Sequence, residues 1–361
     1  MLDTPVLIIG AGISGLILAQ HLQRHGVPFQ IFDRDSAWTR EADLVRRFSD
    51  TFVNKDAAAR GDVGRFQFFN LKTGEALYSV PAAERIRVNR GRLRELLTSG
   101  LDVQSIDSAA DSVTAHFDDG TAASGRLLVA CDGARSRARQ ILYPDCQMNP
   151  LPVQLLGASP LYTAEEMRGA QSFDPFIFQG SHPDTDVFFF FSFLDTPSNF
   201  DESSRDRYHC QIIISWADSK GIPVPTGNAE RVALMKKLTD NWAEPFRSLV
   251  HQIPADSEAR SIRLEDWMLQ RGRSHAHPRV VLVGDSAHTM TMSVAVGWMA
   301  WLIWYRSFTS GKLAASLAAY EKALFSRAEP SFLASRQACL DAHDFSKITE
   351  GSPLVAARVL K

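Results

Sequence analysis

Three glycines and an aspartate near the amino terminus have the types and the spacing needed to hold a ligand that contains phosphate. Gly10, Gly12 and Gly15 form the pattern G-x-G-x-x-G, and Asp33 stands 18 residues after the last glycine. Gly10 permits a tight turn, Gly12 removes the Cβ atom that would block a pyrophosphate, and Gly15 lets a helix approach a strand closely. Asp33 would accept hydrogen bonds from a ribose diol. The pattern predicts a dinucleotide site, and the alternative is an empty glycine-rich turn.

Two further turns made of glycine and aspartate stand far downstream. Asp132-Gly133 follows the apolar run 126–131, and Gly284-Asp285 follows the apolar run 279–283. In a parallel sheet with helices on both faces, ligands bind at the carboxyl ends of the strands. We therefore expect the three turns to line one crevice, although each could be a plain turn.

The elements that must position these turns are short apolar strands followed by helices. Residues 5–9 and 29–32 are apolar runs typical of strands that are buried on both faces. The segment after Gly12, which includes Ile13 and Ser14, has helical periodicity, and Gly26 is placed to end that helix. The amino terminus of this helix would offer free N–H groups and a partial positive charge to phosphates.

The middle of the chain is rich in aromatic and β-branched residues. The runs 187–193 and 210–216 predict strands, and helical spacing returns near 232–238. So many aromatic side chains would suit an apolar, ring-containing substrate. They would equally suit a hydrophobic core, and the sequence does not separate the two.

Composition excludes several classes of protein. The chain has 361 residues, 39 Lys and Arg against 41 Asp and Glu, a formal charge of −2 and 45% hydrophobic residues. This is an ordinary globular composition, so collagen-like, coiled-coil and wholly disordered chains are excluded, and no basic stripe indicates nucleic-acid binding. The four cysteines show no C-x-x-C spacing, which argues against disulfides and against a metal site and favours a reducing, cytoplasmic location.

No targeting segment is evident, because glycines follow the first apolar run at once and no basic leader precedes it. The run 296–308, VGWMAWLIWYRSF, contains three tryptophans. It is too short to span a hydrocarbon core of about 30 Å. We expect it to form a buried helix or a contact in a homo-oligomer, with contact to a membrane surface as the less favoured alternative.

Taken together, the three turns resemble the motifs of the class A flavoprotein monooxygenases, the FAD-dependent aromatic hydroxylases such as salicylate and para-hydroxybenzoate hydroxylase. The family motifs GxGxxG, DGxxSxxR and GDAAH stand here as GAGISG (10–15), DGARSRAR (132–139) and GDSAH (284–288). The resemblance implies an α/β fold with a Rossmann-like FAD-binding domain (1–150 and 276–361). It also implies an inserted mixed β-sheet substrate domain (151–275) and a C-terminal helical segment.

The resemblance further implies which residues bind FAD. The glycine-rich turn would line the pyrophosphate, Asp33 would bind the adenosine ribose, and Asp285 would bind the ribityl chain or the pyrophosphate. Arg90 matches an arginine near the phosphate and the ribityl chain. The expected FAD-binding residues are Gly10, Gly12, Ile13, Ser14, Gly15, Asp33, Arg34, Arg90, Asp132, Gly133, Asp285, Ala295 and Gly297.

The activity implied by the resemblance is oxygenation of an aromatic or polycyclic small molecule, of the kind found in secondary metabolism. NAD(P)H would reduce FAD, and O2 would form a flavin C4a-hydroperoxide that oxidises the substrate. No catalytic residue is assigned, because His288 is more typical of a structural histidine than of a general base. The arginines 135, 137 and 139 could belong to the second motif or be solvated charges.

Two segments depart from the family pattern. The segment after Asp33 is shortened, and it lacks the glycine-rich loop that relatives place beside the flavin ring. After GDSAH, Met292, Ala295 and Trp304 replace a proline, a glycine and an aspartate. These departures motivate a second hypothesis, a flavoprotein-like protein with a non-oxidative role as a cyclase, an isomerase or a binding protein. A third, an NAD(P)-dependent dehydrogenase, would require the second and third motifs to be coincidental.

Overall fold

The computed structural model describes residues 4–33, 48–82, 87–98, 112–117, 120–199, 207–271, 279–291 and 313–357. The strands are β1 Val6–Ile9, β2 Phe29–Phe32, β3 Gln67–Asn70, β4 Ala76–Ser79, β5 Val113–His116, β6 Ala122–Gly125, β7 Leu127–Ala130, β8 Asn149–Pro150, β9 Val153–Ala158, β10 Leu161–Thr163, β11 Ile177–Ser181, β12 Phe188–Asp195, β13 Arg207–Ala217, β14 Ala259–Ser261, β15 Glu265–Met268, β16 Val280–Leu282 and β17 His288–Thr289. The helices are α1 Ile13–Arg24, α2 Lys55–Arg60, α3 Arg90–Thr98, α4 Arg137–Leu142, α5 Ala164–Met167, α6 Asn228–Leu238, α7 Phe246–His251, α8 Leu313–Asp341 and α9 Pro353–Ala356.

Four parallel strands form the sheet that carries the three turns. Their order is β16-β7-β1-β2, so the predicted strands at all four positions are confirmed. Val6, Leu7 and Ile8 are fully buried, as expected for a strand covered on both faces. The core around this sheet includes Leu22 of α1 and Leu324 of α8.

A larger mixed sheet has the order β14-β9-β13-β12-β11-β3-β4, and β10 pairs with β13. Its pairs are antiparallel except for β11 and β3, which run parallel. The strands β3 and β4 lie within residues 1–150 of the chain, yet they pair with the sheet of the middle segment. The division into 1–150 with 276–361 and 151–275 remains a prediction, and this pairing favours assigning β3 and β4 to the second unit.

The aromatic run of β12 is divided between the two faces of the mixed sheet. Phe189, Phe191 and Phe193 join one core with Phe178 and with helices α6 and α7. Phe188 points to the other face, where the end of α8 and α9 cover it. Most of the aromatic side chains whose role the sequence left open are therefore core residues.

Helix α8 contacts both sheets. Its first half packs on the parallel sheet, where the Tyr320 hydroxyl donates to the Leu282 carbonyl oxygen at 2.8 Å. Its second half places Ala338 in the cluster that covers Phe68 and Phe188. Among the helices described, none is both long and apolar enough to cross a membrane.

Candidate functional site

The three predicted turns meet at the carboxyl edge of the parallel sheet, because β1, β7 and β16 are neighbours there. Gly10 has a φ of +98°, and a Cβ atom on it would lie 2.5 Å from the Cys131 carbonyl oxygen and 2.8 Å from the Asp132 Cα. A Cβ on Gly284, which has a φ of +68°, would lie 2.8 Å from Ser14 Oγ. The first turn therefore packs directly against both of the others.

The glycines of the first turn have different surroundings. A Cβ on Gly15 would overlap the carbonyl oxygen of Gly10, so close packing inside the protein explains this residue. A Cβ on Gly12 would meet none of the described residues within 4 Å, and the φ of Gly12 is an ordinary −72°. Gly133 also has open space around its Cβ position, although its φ is +79°. Neither backbone strain nor packing against the described residues explains Gly12, which fits a molecule lying against it.

The amino terminus of α1 faces this open position. Gly12 is the N-cap and provides no side-chain acceptor, and the first turn of the helix contains no acidic residue. The first N–H groups of a helix have no partner within the helix. Those of Ile13, Ser14 and Gly15 can thus be donated to an anion.

Asp33 connects the glycine-rich turn to α3. Its Oδ2 accepts from the Ala11 backbone N–H at 2.6 Å and lies 3.4 Å from Nη2 of Arg94. The side chain of Gln20 on α1 donates to the Leu97 carbonyl oxygen of α3 at 2.7 Å. Sequence reasoning missed Arg94, and the only signal for it was its position one helical turn after Arg90.

The second turn is held in place by caps on α4. Asp132 Oδ2 accepts from the backbone N–H groups of Arg137 and Ala138, at 2.8 and 3.1 Å. Ser136 is fully buried and its hydroxyl accepts from the Arg139 N–H at 2.9 Å. The other carboxylate oxygen of Asp132 is buried and has no hydrogen-bond partner in the part of the chain that the structure describes.

Arg139 joins the second turn to the third. Its Nη1 donates to the carbonyl oxygens of Asp285 and Ser286, at 3.3 and 3.2 Å, and to Thr289 Oγ1 at 3.2 Å. The guanidinium also lies 4.7 Å from the centre of the Trp267 ring. Burial lowers the pKa of Arg139, and the nearby Asp132 acts in the opposite direction.

The three arginines of the second motif thus differ. Arg139 is only 3% exposed, whereas Arg135 and Arg137 are exposed. The interpretation as solvated charge therefore applies to the last two and is wrong for Arg139.

The third turn presents an exposed carboxylate. The side chain of Asp285 has no hydrogen bond or ion pair to any residue of the described ranges. The hydroxyl of the next residue, Ser286, donates to the Ala130 carbonyl oxygen at 2.7 Å and so fixes the turn to β7. Burial lowers the pKa of His288, opposed by Asp285, and its Nδ1 has no partner among the described residues. These surroundings favour the neutral form of the His288 imidazole.

Helix α3 runs from the mixed sheet to Asp33. At its first turn, the Asn89 amide donates to the Leu194 carbonyl oxygen at 3.5 Å, and Arg92 pairs with Asp195 at 2.8 Å. Arg90 is exposed, with no hydrogen bond or ion pair to the described residues. The predicted Arg34, Ala295 and Gly297 lie outside the described residues, as do the shortened segment after Asp33, the altered residues after Thr291 and the tryptophan-rich run 296–308.

One face of the mixed sheet combines apolar and amide side chains. Gln179 of β11 lies opposite Phe190 of β12, and Phe190 lies opposite Ile213 of β13. Ile213 in turn lies opposite Gly157 of β9, which has no side chain. Gln179 is 1% exposed, and its Oε1 has no hydrogen bond to the described part of the chain. This row lies on the face opposite the aromatic core.

Two open clefts of about 520 and 700 Å³ lie elsewhere, and the three turns line neither of them. In the smaller cleft, Arg336 donates to both carboxylate oxygens of Asp266, at 2.6 and 2.7 Å. Because this ion pair is already satisfied, the cleft offers no free charge. The turns, rather than the clefts, carry the features of a binding site.

Comparison with known proteins identifies relatives along most of the chain. A family model described as an FAD binding domain matches residues 3–43. The chain is 39% identical to a "Probable FAD-dependent monooxygenase" of Arthroderma benhamiae, over 98% of this chain and 95% of the relative. It is 34% identical to FAD-dependent monooxygenase dbaB of Emericella nidulans, over 80% of this chain and 81% of the relative. The match to the Arthroderma protein spans 408 positions against 361 residues here, so at least 47 of its positions have no counterpart in this chain.

Solved structures share the fold. The 2,6-dihydroxypyridine-3-hydroxylase from Arthrobacter nicotinovorans has a TM-score of 0.72 at 17% identity, covering 99% of this chain and 97% of that one. HpxO of Klebsiella pneumoniae, in complex with FAD and uric acid, has a TM-score of 0.69 at 18% identity, covering 99% and 96%. A salicylate hydroxylase complex has a TM-score of 0.61 at 18% identity, covering 98% and 93%. Because the Arthroderma relative is 39% identical over nearly the whole of both chains and the Emericella relative is 34% identical over four fifths, the chain belongs to the family of FAD-dependent monooxygenases.

Proposed function

We propose that this protein binds FAD along its three strand-end turns and uses NAD(P)H and O2 to oxygenate an aromatic small molecule. The observation that carries the proposal is the contact of the three turns with one another around positions that the described residues leave unused. These are the open Cβ positions of Gly12 and Gly133 and the unpartnered carboxylate atoms of Asp132 and Asp285.

The residues at these turns fit the parts of FAD. The pyrophosphate would lie against Gly12 and the first N–H groups of α1. Asp33 stands at the end of β2, where a ribose diol would be bound, and Asp285 is available to accept hydrogen bonds from hydroxyl groups. Arg90 is exposed one helical turn before Arg94, and it would approach a phosphate of FAD.

Bound FAD would supply the redox chemistry, taking electrons from a nicotinamide nucleotide and passing them to O2. The chain's own residues bind and orient the cofactor. Arg139 and Ser286 fix the second and third turns in one position, and Asp33 fixes the first turn to α3. We assign no proton transfer to a side chain. Burial lowers the pKa of His288, the only histidine of the three motifs, and so favours its neutral form.

An aromatic substrate fits the row that contains Phe190 and Ile213, which offers flat apolar contact with an amide beside it. Some relatives in fold are named for action on ring compounds, among them salicylate hydroxylase and 2,6-dihydroxypyridine-3-hydroxylase. A cytoplasmic location remains a prediction from the composition. A homo-oligomer remains a prediction from the run 296–308.

The test begins with the visible spectrum of the purified protein and with FAD released on denaturation. NAD(P)H oxidation and O2 uptake are then followed with phenols and naphthols, and labelled O2 shows whether one oxygen atom enters the product. We expect bound FAD, oxidation that depends on the added compound, and a labelled product. A colourless protein that takes up no added FAD would overturn the proposal.

One observation favours a second function, a non-oxidative role of the FAD-bound protein. At least 47 positions of the Arthroderma relative have no counterpart in this chain. Conversion of a ring compound without O2 or NAD(P)H would support this function. Loss of all turnover under anaerobic conditions would exclude it.

A further inference from the structure

A guanidinium without a carboxylate partner lies on one face of the mixed sheet. Arg87, three residues before α3, donates from Nε to the Phe193 carbonyl oxygen at 2.8 Å and from Nη2 to Ser192 Oγ at 2.9 Å. Within the described residues, its Nη1 has no hydrogen bond, and no carboxylate forms an ion pair with it. Burial lowers the pKa of Arg87, as expected for a cation that has lost water without gaining an anion.

Three other arginines that contact buried groups have acceptors for their guanidinium groups, whereas Nε and Nη2 of Arg126 are buried without a partner among the described residues. Arg92 pairs with Asp195, Arg336 pairs with Asp266, and Arg139 is surrounded by backbone and side-chain acceptors. A cation in a partly dehydrated place is costly unless an anion accompanies it. Arg87 is therefore suited to bind an anionic oxygen of a ligand.

The surroundings of Arg87 specify the rest of such a ligand. Ser192 lies opposite Gln211 of β13, and its hydroxyl is 3.4 Å from Gln211 Oε1. The next row along the same face contains Phe190 and Ile213, about 7 Å away because residues two apart share a face of a strand. A polar end beside an apolar strip suits an aromatic ring that carries one acidic group.

The position of Arg87 before the start of α3 agrees with this. Arg94 lies beside Asp33 at the adenosine end, Arg90 is one turn nearer the mixed sheet, and Arg87 lies beyond the first turn. The order along the chain thus runs from the nucleotide turns toward the sheet face.

We propose that Arg87 binds an ionised oxygen of the substrate, a carboxylate or a phenolate, and so selects acidic aromatic compounds over neutral ones. The inference rests on the proposed function. A guanidinium can hold two oxygens or two lone pairs at once, a geometry that the lysine ammonium lacks.

The test compares two probes of nearly equal shape, 2-naphthoate and 2-naphthamide, by calorimetric titration of the FAD-loaded protein at neutral pH. We expect the wild type to bind the carboxylate at least about 10-fold more tightly. Arg87→Met should raise the dissociation constant of 2-naphthoate by about 10- to 100-fold and change that of 2-naphthamide by less than about 3-fold. The affinity of Arg87→Lys for 2-naphthoate should lie between those of the wild type and Arg87→Met. Arg168→Gln, a control at an exposed arginine, should keep the wild-type preference for 2-naphthoate over 2-naphthamide.

Two results would overturn the inference. One is a wild type that binds both probes equally, a measurement that needs no variant to fold. The other is an equal loss for both probes in the Arg87 variants, which would show that Arg87 only supports β12. An affinity for 2-naphthol that rises as the pH approaches the pKa of its hydroxyl, and that loses this rise in Arg87→Met, would identify the phenolate as the bound form. Failure of the proposed function would appear separately, as absent FAD or absent oxygenation.

Discussion

The strand-end turns and the mixed sheet differ in what their small and polar residues contact. In the turns, Gly12 and the carboxylate of Asp285 have no described neighbour that accounts for them, although the turns pack on one another. In the mixed sheet, polar groups are paired within the protein, as in His343 with Ser215 and Arg92 with Asp195. The turns thus fit a molecule outside the chain, whereas most polar groups of the mixed sheet have partners within the protein, with Arg87, Gln179 and Trp242 among the exceptions in the described residues.

The largest expected effect separates the two kinds of glycine in the first turn. Gly15→Ala should cost about 3 kcal/mol or more in the free energy of unfolding of the apoprotein, because its Cβ would overlap a backbone oxygen that cannot move. Gly12→Ala should cost about 1 kcal/mol or less, since its Cβ meets open space. Gly12→Ala should nevertheless weaken the binding of FAD by about 100-fold, as measured by titration of the apoprotein with FAD. If Gly12→Ala bound FAD with wild-type affinity, Gly12 would not be a glycine that is required by the ligand.

Arg139 tests whether the turns depend on each other. Arg139→Met removes the arginine donor of three carbonyl oxygens and a hydroxyl, so we expect a loss of about 2 to 4 kcal/mol in urea unfolding. Arg137→Met is the matched control at an exposed arginine and should stay within about 0.5 kcal/mol of wild type. Equal stability of the two variants would show that the second and third turns are independent.

His343 gives the mixed sheet a dependence on acid. Burial lowers the pKa of His343 from 6.5 to about 4, opposed by its bond to the Cys339 carbonyl oxygen. The unfolded chain therefore binds the proton first, and stability that is full above pH 6.5 decreases toward pH 4 by about 3 kcal/mol.

In His343→Gln, the difference in unfolding free energy between pH 7 and pH 4 should shrink by about that amount. His116→Gln, at an exposed histidine of β5, should keep the wild-type difference. An unchanged pH dependence in His343→Gln would place the acid sensitivity outside the mixed sheet.

The smallest expected effect is at the third turn. Asp285→Asn should raise the dissociation constant of FAD by about 10-fold, because a charged acceptor becomes a neutral one. The stability of the apoprotein should change by less than about 0.5 kcal/mol, since the carboxylate is exposed. Asp256→Asn, on an exposed loop of the other region, should change neither quantity, and equal FAD affinity in both variants would remove Asp285 from the site.

The sequence allowed the parallel sheet and its turns to be predicted because their signals are local. Apolar runs of four or five residues ending in glycine indicate a strand and its turn without knowledge of partners. The burial of Arg139 could not be predicted, because its acceptors Asp285 and Ser286 stand far along the chain. The same holds for the phenylalanine run, whose division between two faces depends on which strands pair with β12.

Arg87 gave no signal at all in the sequence. It stands among other arginines, and only the contacts with Phe193 and Ser192 distinguish it. The assignments of Arg34, Ala295 and Gly297 to FAD remain predictions, as do those of the other turn residues.

The order of the strands has a consequence for synthesis of the protein. Val281 of β16 pairs with Val129 of β7, and α8 brings its side chains to both sheets only after β16 has been made. While the chain is still on the ribosome, β7 has an open edge and the cluster around Phe68 lacks its cover. Open edges and uncovered apolar surface invite wrong association, so the nascent protein would need chaperones until its last helices emerge.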